Sequence, residues 1–147
     1  MKMMRTLLNW MLRLLLAAVF LYAALGKIWD PQGFAITIAN YQMLPDWAVN
    51  PTALLLPWLE AVCAVLLLTG RWTEGSLMII NGLLLVFIAA LAINWYRGID
   101  VACGCFTTAD QGGSNYLHDI LRDVLLLAVG IWLAFQRIRI SRGPASA

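Results

Sequence analysis

The third apolar segment of the chain, residues 77–95, reads LMIINGLLLVFIAALAINW. It contains no Asp, Glu, Lys or Arg. An α-helix of ~20 apolar residues is about as long as the hydrocarbon core of a bilayer is thick. The segment Leu77–Trp95 therefore predicts a membrane-spanning helix.

Three further apolar segments predict spans of the same kind, at about Leu7–Leu25, Ala53–Thr69 and Ile120–Phe135. The whole chain of 147 residues is 62% hydrophobic and 12% charged, which is too apolar for an ordinary soluble domain. Four crossings would use roughly 80 residues. We predict an all-α polytopic membrane protein, a single four-helix bundle over residues 1–147, with outer loops at 27–52 and 97–117. Residues 34–41 in the first loop predict a short interfacial helix.

The first segment also has features of a signal peptide, with Lys2 and Arg5 before the apolar run and small residues from Ala24 to Gly26. Its length and Arg13 within it favour a retained span.

The basic residues predict the orientation of the bundle, because short loops rich in Lys and Arg stay in the cytoplasm. If four helices alternate, one side carries Lys2, Arg5, Arg71, Arg137, Arg139 and Arg142, and the other carries Lys27 and Arg97. Both termini are therefore expected in the cytoplasm. Tryptophans are expected at the inner ends of segments, at Trp10, Trp72 and Trp132, and at the outer ends, at Trp29, Trp47, Trp58 and Trp95. A net charge of +2 without a contiguous basic patch argues against nucleic-acid binding.

Two of the three cysteines, Cys103 and Cys105, flank Gly104 in the second outer loop. In a bacterial periplasm, which is kept oxidising, such a pair can persist as a disulfide. A bridge between residues i and i+2 needs a bent backbone, which glycine permits, and a strained exposed bridge is easily exchanged. The spacing favours thiol–disulfide exchange.

Two other interpretations of the pair stay open. A metal site would need about four ligands, and this face offers only the two cysteines and His118, so we expect no metal. Alternatively, the cysteines are small residues at a helix end or pair with cysteines of another chain. The third cysteine, Cys63, is expected near mid-bilayer as a small core residue.

Ionisable residues within the spans give the other functional indication, because such residues usually face a partner or a polar cavity. They are Arg13, Glu60, Arg122 and Asp123. An ion pair between Glu60 and Arg122, which lie at broadly similar depths, is geometrically available and would fix the register of their helices. A polar pocket is the alternative, in which Glu60 or Asp123 moves protons and Arg122 or Lys27 orients a quinone oxygen. Arg13 is expected to extend its charge to the inner surface.

Several motifs together resemble the DoxX-like membrane proteins, and most closely the methylamine-utilisation MauE branch. They are Gly26-Lys27, Asp30-Pro31, Phe34, Leu56-Pro57-Trp58-Leu59-Glu60, Asn94, Arg97-Gly98, Cys103-Gly104-Cys105-Phe106 and Arg122-Asp123. The resemblance covers most of the chain. It departs from the pattern at Thr107, where the family tends to have glycine.

The resemblance implies a four-helix membrane bundle with a redox-associated role. Members are linked to maturation of disulfide-rich exported enzymes or to sulfur and quinone chemistry, and the MauE branch is tied to a dehydrogenase subunit with several disulfides. By position, Cys103 and Cys105 would be the exchange pair. Glu60, Arg122 and Asp123 would be the matching polar positions in the spans.

The leading functional prediction is a thiol–disulfide oxidoreductase of the bacterial inner membrane. It would act on an exported or periplasmic thiol protein through Cys103 and Cys105, with no covalently bound cofactor and with a quinone as the candidate electron acceptor. The alternative is a non-catalytic accessory or assembly subunit of a membrane or periplasmic redox complex. A small-solute transporter is the weakest interpretation, because the spans contain few charges.

Overall fold

The computed structural model describes residues 2–99 and 116–141, and within these ranges the chain is helical without a β-strand. The five helices are α1 (Lys2–Trp29), α2 (Pro31–Asn40), α3 (Asp46–Thr69), α4 (Thr73–Tyr96) and α5 (Tyr116–Ser141). The predicted all-α class is confirmed. The region predicted as an outer loop at 27–52 contains the end of α1, all of α2 and the beginning of α3.

Three of the described helices, α1, α3 and α4, are long and apolar enough to cross a membrane. Their surfaces match this reading, because each exposes large apolar side chains such as Tyr22, Leu55 and Val86. All seven tryptophans are exposed, from 38% for Trp132 to 85% for Trp29. Indole rings on the outside of such helices are typical of the membrane interface. The helix α5 is as long as the others but carries more charges.

The four long helices form a closed ring in which α1 packs on α3, α3 on α4, α4 on α5, and α5 on α1. Neighbouring helices are antiparallel, so the bundle has two ends. The N-terminal end holds the beginnings of α1 and α4 and the ends of α3 and α5. The loop end holds the end of α1, the beginnings of α3 and α5, the end of α4, and α2, which packs on α3 and α1.

The main core lies between these helices and consists of small and branched apolar residues. Its buried members are Leu16, Ala17, Phe20, Cys63, Ala64, Leu67, Leu77, Ile80, Leu84 and Leu133. Cys63 is 1% exposed and is a free thiol.

Local signals in the sequence set the helix ends at the loop end. Asp30 accepts a hydrogen bond from the Gly33 backbone N–H at 2.9 Å and caps α2, which begins with Pro31. At the end of α4, Gly98 has φ 68°, its N–H donates to Trp95 O, and the Ile99 N–H donates to Asn94 O. This is the Schellman arrangement, so α4 ends with a defined change of direction before residue 100.

Arg13 determines the geometry of the N-terminal end. Its Nε donates to the carbonyl oxygen of Leu67 and its Nη2 donates to that of Leu68 at 3.3 Å, so the guanidinium caps the C-terminus of α3. A cation is favoured there because the last carbonyls of a helix lack backbone partners. Arg13 is 5% exposed, so its charge is bound at the C-terminus of α3 and is not free in solvent.

Gly70, directly after α3, is required for this cap. It has φ 77°, and a Cβ atom on it would lie 2.7 Å from Arg13 Nη2. We expect Gly70→Ala to lower the free energy of unfolding by about 2 kcal/mol, because an L-residue is strained in the left-handed region and the guanidinium is displaced. Equilibrium unfolding in mixed micelles, followed by circular dichroism, measures this.

The matched control is Gly75→Ala, in the first turns of α4, where a Cβ atom would meet nothing within 4 Å. Alanine is the better helix former, so this variant should be neutral or slightly stabilised. Equal destabilisation of the two variants would contradict the proposed role of Gly70.

Candidate functional site

A buried ion pair joins α1 to α3 at the loop end of the bundle. Nζ of Lys27, in the last turn of α1, lies 2.9 Å from both Oε1 and Oε2 of Glu60. The two side chains are 2% and 1% exposed. Two opposite charges can remain in an apolar interior only when they are paired, because desolvation of either one alone is too costly.

Two aromatic rings complete the surroundings of Lys27. The rings of Phe34, from α2, and Phe87, from α4, each have their centroid 5.0 Å from Nζ. This distance is within the range of cation–π attraction, which becomes stronger when water is excluded. Four helices therefore meet at one ammonium group.

The fifth helix brings a second carboxylate to the same place. Asp123, from α5, is 1% exposed and lines one small cavity together with Lys27 and Glu60. The volume of this cavity is about 20 Å³. That is room for about one water molecule, for which the three charged side chains would be the polar partners. We name this space the polar cavity for these side chains, although its other walls are apolar.

Arg122 binds carboxylates of its own helix. Its Nη2 lies 3.2 Å from Asp123 Oδ1 and its Nη1 lies 3.3 Å from Asp119 Oδ1. The cluster of Lys27, Glu60, Asp119, Arg122 and Asp123 thus contains three carboxylates and two fixed cations. We name these five residues the charged cluster.

The structure thus brings together Lys27, Glu60, Arg122 and Asp123, the four charged residues predicted for the site. The ion pair considered between Glu60 and Arg122 does not form among the described residues. Glu60 binds Lys27, and Arg122 binds Asp123. Lys27 is also not a loop residue, since it lies in the last turn of α1 and is buried.

Asn94 is a buried polar residue whose role the sequence did not predict. It is 0% exposed, and neither its Oδ1 nor its Nδ2 has a hydrogen-bond partner among the described residues. Buried amides are almost always hydrogen-bonded. Asn94 lies on the same face of α4 as Leu84, Phe87 and Leu91, and this spacing could have indicated that it faces the interior.

An apolar groove of about 240 Å³ opens beside the charged cluster. It lies between α2, α3 and α4 and shares Phe34 and Phe87 with the surroundings of Lys27. Its other walls include Tyr41, Thr52 and Ala90. At the same end Ile99 packs against Tyr41 and Ala90, and Arg97 Nη2 lies 3.4 Å from Gln42 Oε1. The turn after α2 is thereby attached to the end of α4.

Cys103 and Cys105 lie outside the described residues, between Ile99 and Tyr116. Their predicted redox role is therefore a matter of proposal. Cys63, in contrast, lies in the apolar core, on α3 three residues after Glu60.

Fold and site together define a multi-pass helical membrane protein whose buried charges are gathered at one end of the bundle. The family model described as "Methylamine utilisation protein MauE" matches residues 5–136. The chain belongs to the MauE family, and the resemblance seen in its motifs is confirmed.

Three curated relatives, each called methylamine utilization protein MauE, agree with this assignment. The protein of Paracoccus denitrificans is 38% identical over 126 residues, 85% of this chain and 67% of the relative. That of Methylophilus methylotrophus is 32% identical over 129 residues, 87% and 68% of the two chains. That of Paracoccus versutus is 35% identical over 129 residues, 87% and 69%. No solved structure matches the chain.

We expect Lys27→Met to lower the free energy of unfolding by about 3–5 kcal/mol, because it leaves the Glu60 carboxylate buried without a partner. The double variant Lys27→Met, Glu60→Met buries no unpaired charge and should recover more than half of that loss. Unfolding in mixed micelles gives the double-mutant cycle.

Arg97→Gln is the control, since it removes an exposed cation at the same end of the bundle and should change stability by less than about 1 kcal/mol. If the two single substitutions at Lys27 and Glu60 were additive in the double variant, the ion pair would not be the interaction that stabilises this end.

Proposed function

We propose that this chain is a thiol–disulfide exchange protein of the bacterial inner membrane and that it serves methylamine utilisation, as the names of its relatives indicate. The exchanging groups are Cys103 and Cys105, and the partner is an exported thiol protein. The observation that carries the proposal is the position of the charged cluster. It lies at the end of the bundle where α4 leads into the cysteine segment and where α5 begins.

In the proposed topology α5 is a fourth span. It contains 26 residues, about 39 Å of helix, and packs on both α4 and α1. Its charged residues Asp119, Arg122 and Asp123 bind one another or face the polar cavity, which lowers the cost of placing them in a membrane.

Four spans place both termini in the cytoplasm under the positive-inside rule. The N-terminal end carries exposed Arg5, Arg71, Arg137 and Arg139. At the loop end, Arg97 is exposed, whereas Lys27 is neutralised by Glu60 inside the bundle. Because more exposed arginines lie at the N-terminal end, the rule favours the cytoplasmic side for that end. The loop end, and with it Cys103 and Cys105, would then lie on the periplasmic side.

The cysteines are close along the chain to the end of α4. Cys103 follows Ile99 by four residues, and four residues span at most about 14 Å. Ile99 packs on the turn that borders the apolar groove. The chain length therefore allows Cys103 to lie within about 14 Å of the residue that packs beside the groove.

In the proposed reaction a thiolate of the partner attacks one sulfur of the Cys103–Cys105 disulfide. An S–S bond to the partner forms while the bond within the pair breaks, and the second cysteine leaves as a thiolate. A second partner thiolate then attacks the mixed disulfide. The partner gains a disulfide and loses two electrons, and this chain is left with a dithiol that holds them.

A bound quinone would supply the two-electron, two-proton acceptor that returns the dithiol to the disulfide. The polar cavity of about 20 Å³ is too small for a quinone ring, whereas the groove of about 240 Å³ has the volume and the apolar walls for one. Phe34 and Phe87, which line this groove, would be the aromatic residues that hold such a ring. The charged side chains next to these rings would serve the acceptor. Glu60 and Asp123 would hold or move protons, with Lys27 and Arg122 as the neighbouring cations.

Replacement of the second cysteine tests the exchange. Cys105→Ser leaves Cys103 as a single thiol, which can attack the disulfide of an oxidised partner in the reverse of the exchange and release one partner thiolate. Because no second cysteine is present to resolve the adduct, we expect a mixed disulfide to accumulate as a higher-mass band on non-reducing gels and to disappear on reduction. The double variant Cys103→Ser, Cys105→Ser should give no such band.

Cys63→Ala is the matched control, because it removes the buried core thiol and should leave the band unchanged when combined with Cys105→Ser. Absence of any adduct, together with normal disulfide formation in exported proteins of the double variant, would contradict the proposal. The same outcome would favour the accessory or assembly role, in which the helix faces rather than the cysteines are required.

A further inference from the structure

A second polar cavity lies at the N-terminal end of the bundle, far from the charged cluster. It has a volume of about 50 Å³ and lies between α1, α4 and α5. Its polar walls are Asn9 and Arg13 from α1, Thr73 from α4, and Gln136 and Arg137 from α5.

The cavity contains two positive charges and no carboxylate on its walls. Arg13 directs Nε and Nη2 at the carbonyls of α3, and a guanidinium has five N–H donors, so further donors are left over. Arg137 makes no hydrogen bond or ion pair with another described residue. Two guanidinium groups on one cavity repel each other, and an anion between them would relieve that repulsion.

The size of the cavity favours a small anion. A volume of about 50 Å³ accommodates about four water-sized groups, which is the size of a phosphate with its oxygens. Arginine recognises phosphate through paired N–H donors. The ring of Trp10, centred 4.6 Å from Arg13 Cζ, is 49% exposed, as expected at the depth of lipid headgroups.

An adjoining groove indicates where that phosphate comes from. The surface of α5 carries a groove of about 260 Å³ lined by Trp132, Phe135, Gln136 and Arg139, and Gln136 lines the cavity as well. Trp132 and Phe135 are 38% and 62% exposed. A cavity with two cations, next to a groove that carries two exposed aromatic rings, matches a molecule with an anionic head and a hydrocarbon tail.

We propose that the Arg13–Arg137 cavity binds the phosphate group of an anionic phospholipid, with an acyl chain of the same molecule in the groove on α5. Basic pockets between membrane helices bind anionic headgroups in this way. The proposal is independent of the thiol chemistry, because the cavity and the cysteine segment belong to opposite ends of the bundle.

Native mass spectrometry of the full chain, released from nanodiscs, tests this inference. The nanodiscs contain phosphatidylcholine alone, or phosphatidylcholine with phosphatidylglycerol. We expect wild-type protein to retain phosphatidylglycerol in preference to phosphatidylcholine. Arg137→Gln should reduce that retention about fivefold, the effect of one basic residue at a membrane surface.

Arg71→Gln is the matched control, because Arg71 is exposed at the same end of the bundle but does not line the cavity. It should retain phosphatidylglycerol as the wild type does. Equal loss in Arg71→Gln and Arg137→Gln, or equal retention of the two lipids by the wild type, would overturn the proposal. Displacement of phosphatidylglycerol by inorganic phosphate at equal concentration would assign the site to a soluble anion. It would likewise overturn the proposal that the ligand is a phospholipid.

Discussion

The contact between Lys27 and Glu60 places opposite charges in the interior of the bundle, where each side chain is at most 2% exposed. Neither residue could remain charged there alone, because desolvation of an unpaired ion costs more than the surrounding packing can offset. The pair therefore fixes how far α1 and α3 can slide past each other. It also restricts α2 and α4, since both of them contribute a ring to the same ammonium group. The register of four helices thus depends on one interaction.

The same interaction gives the loop end its chemistry. Asp123 adds a second buried carboxylate to the cavity. Arg122 binds both Asp123 and Asp119. Three carboxylates share two fixed cations in this cluster, Glu60 with Lys27 and Asp119 and Asp123 with Arg122. At the opposite end, Arg13 closes the last turn of α3 through hydrogen bonds to two backbone carbonyls.

The sequence predicts the helices well because the signal for them is local. Length and hydropathy are properties of each segment alone, and Asp30 with Pro31 and Gly98 mark helix ends by their own backbone preferences. The partners of the charged residues are not local. Lys27 binds a residue 33 positions away and Arg13 binds carbonyls more than 50 positions away, so composition could not reveal either contact. The break in the apolar run at Gly26 and Lys27 resembled a helix end, although α1 continues through it. Asn94 was missed because an asparagine near a helix end is usually exposed to solvent or part of a turn.

We propose that the buried pair supports the redox state of the cysteines in addition to holding the helices together. The double variant Lys27→Met, Glu60→Met separates these roles, because it removes both charges and leaves none unpaired. The measurement is labelling of Cys103 and Cys105 in intact spheroplasts with an impermeant maleimide, before and after reduction, in wild type and in the double variant. We expect the wild-type cysteines to react with the maleimide from outside only after reduction. The folded double variant should react without prior reduction, because its dithiol is not reoxidised. A folded double variant whose cysteines are as oxidised as those of the wild type would contradict a role of the buried pair in the redox state of the cysteines.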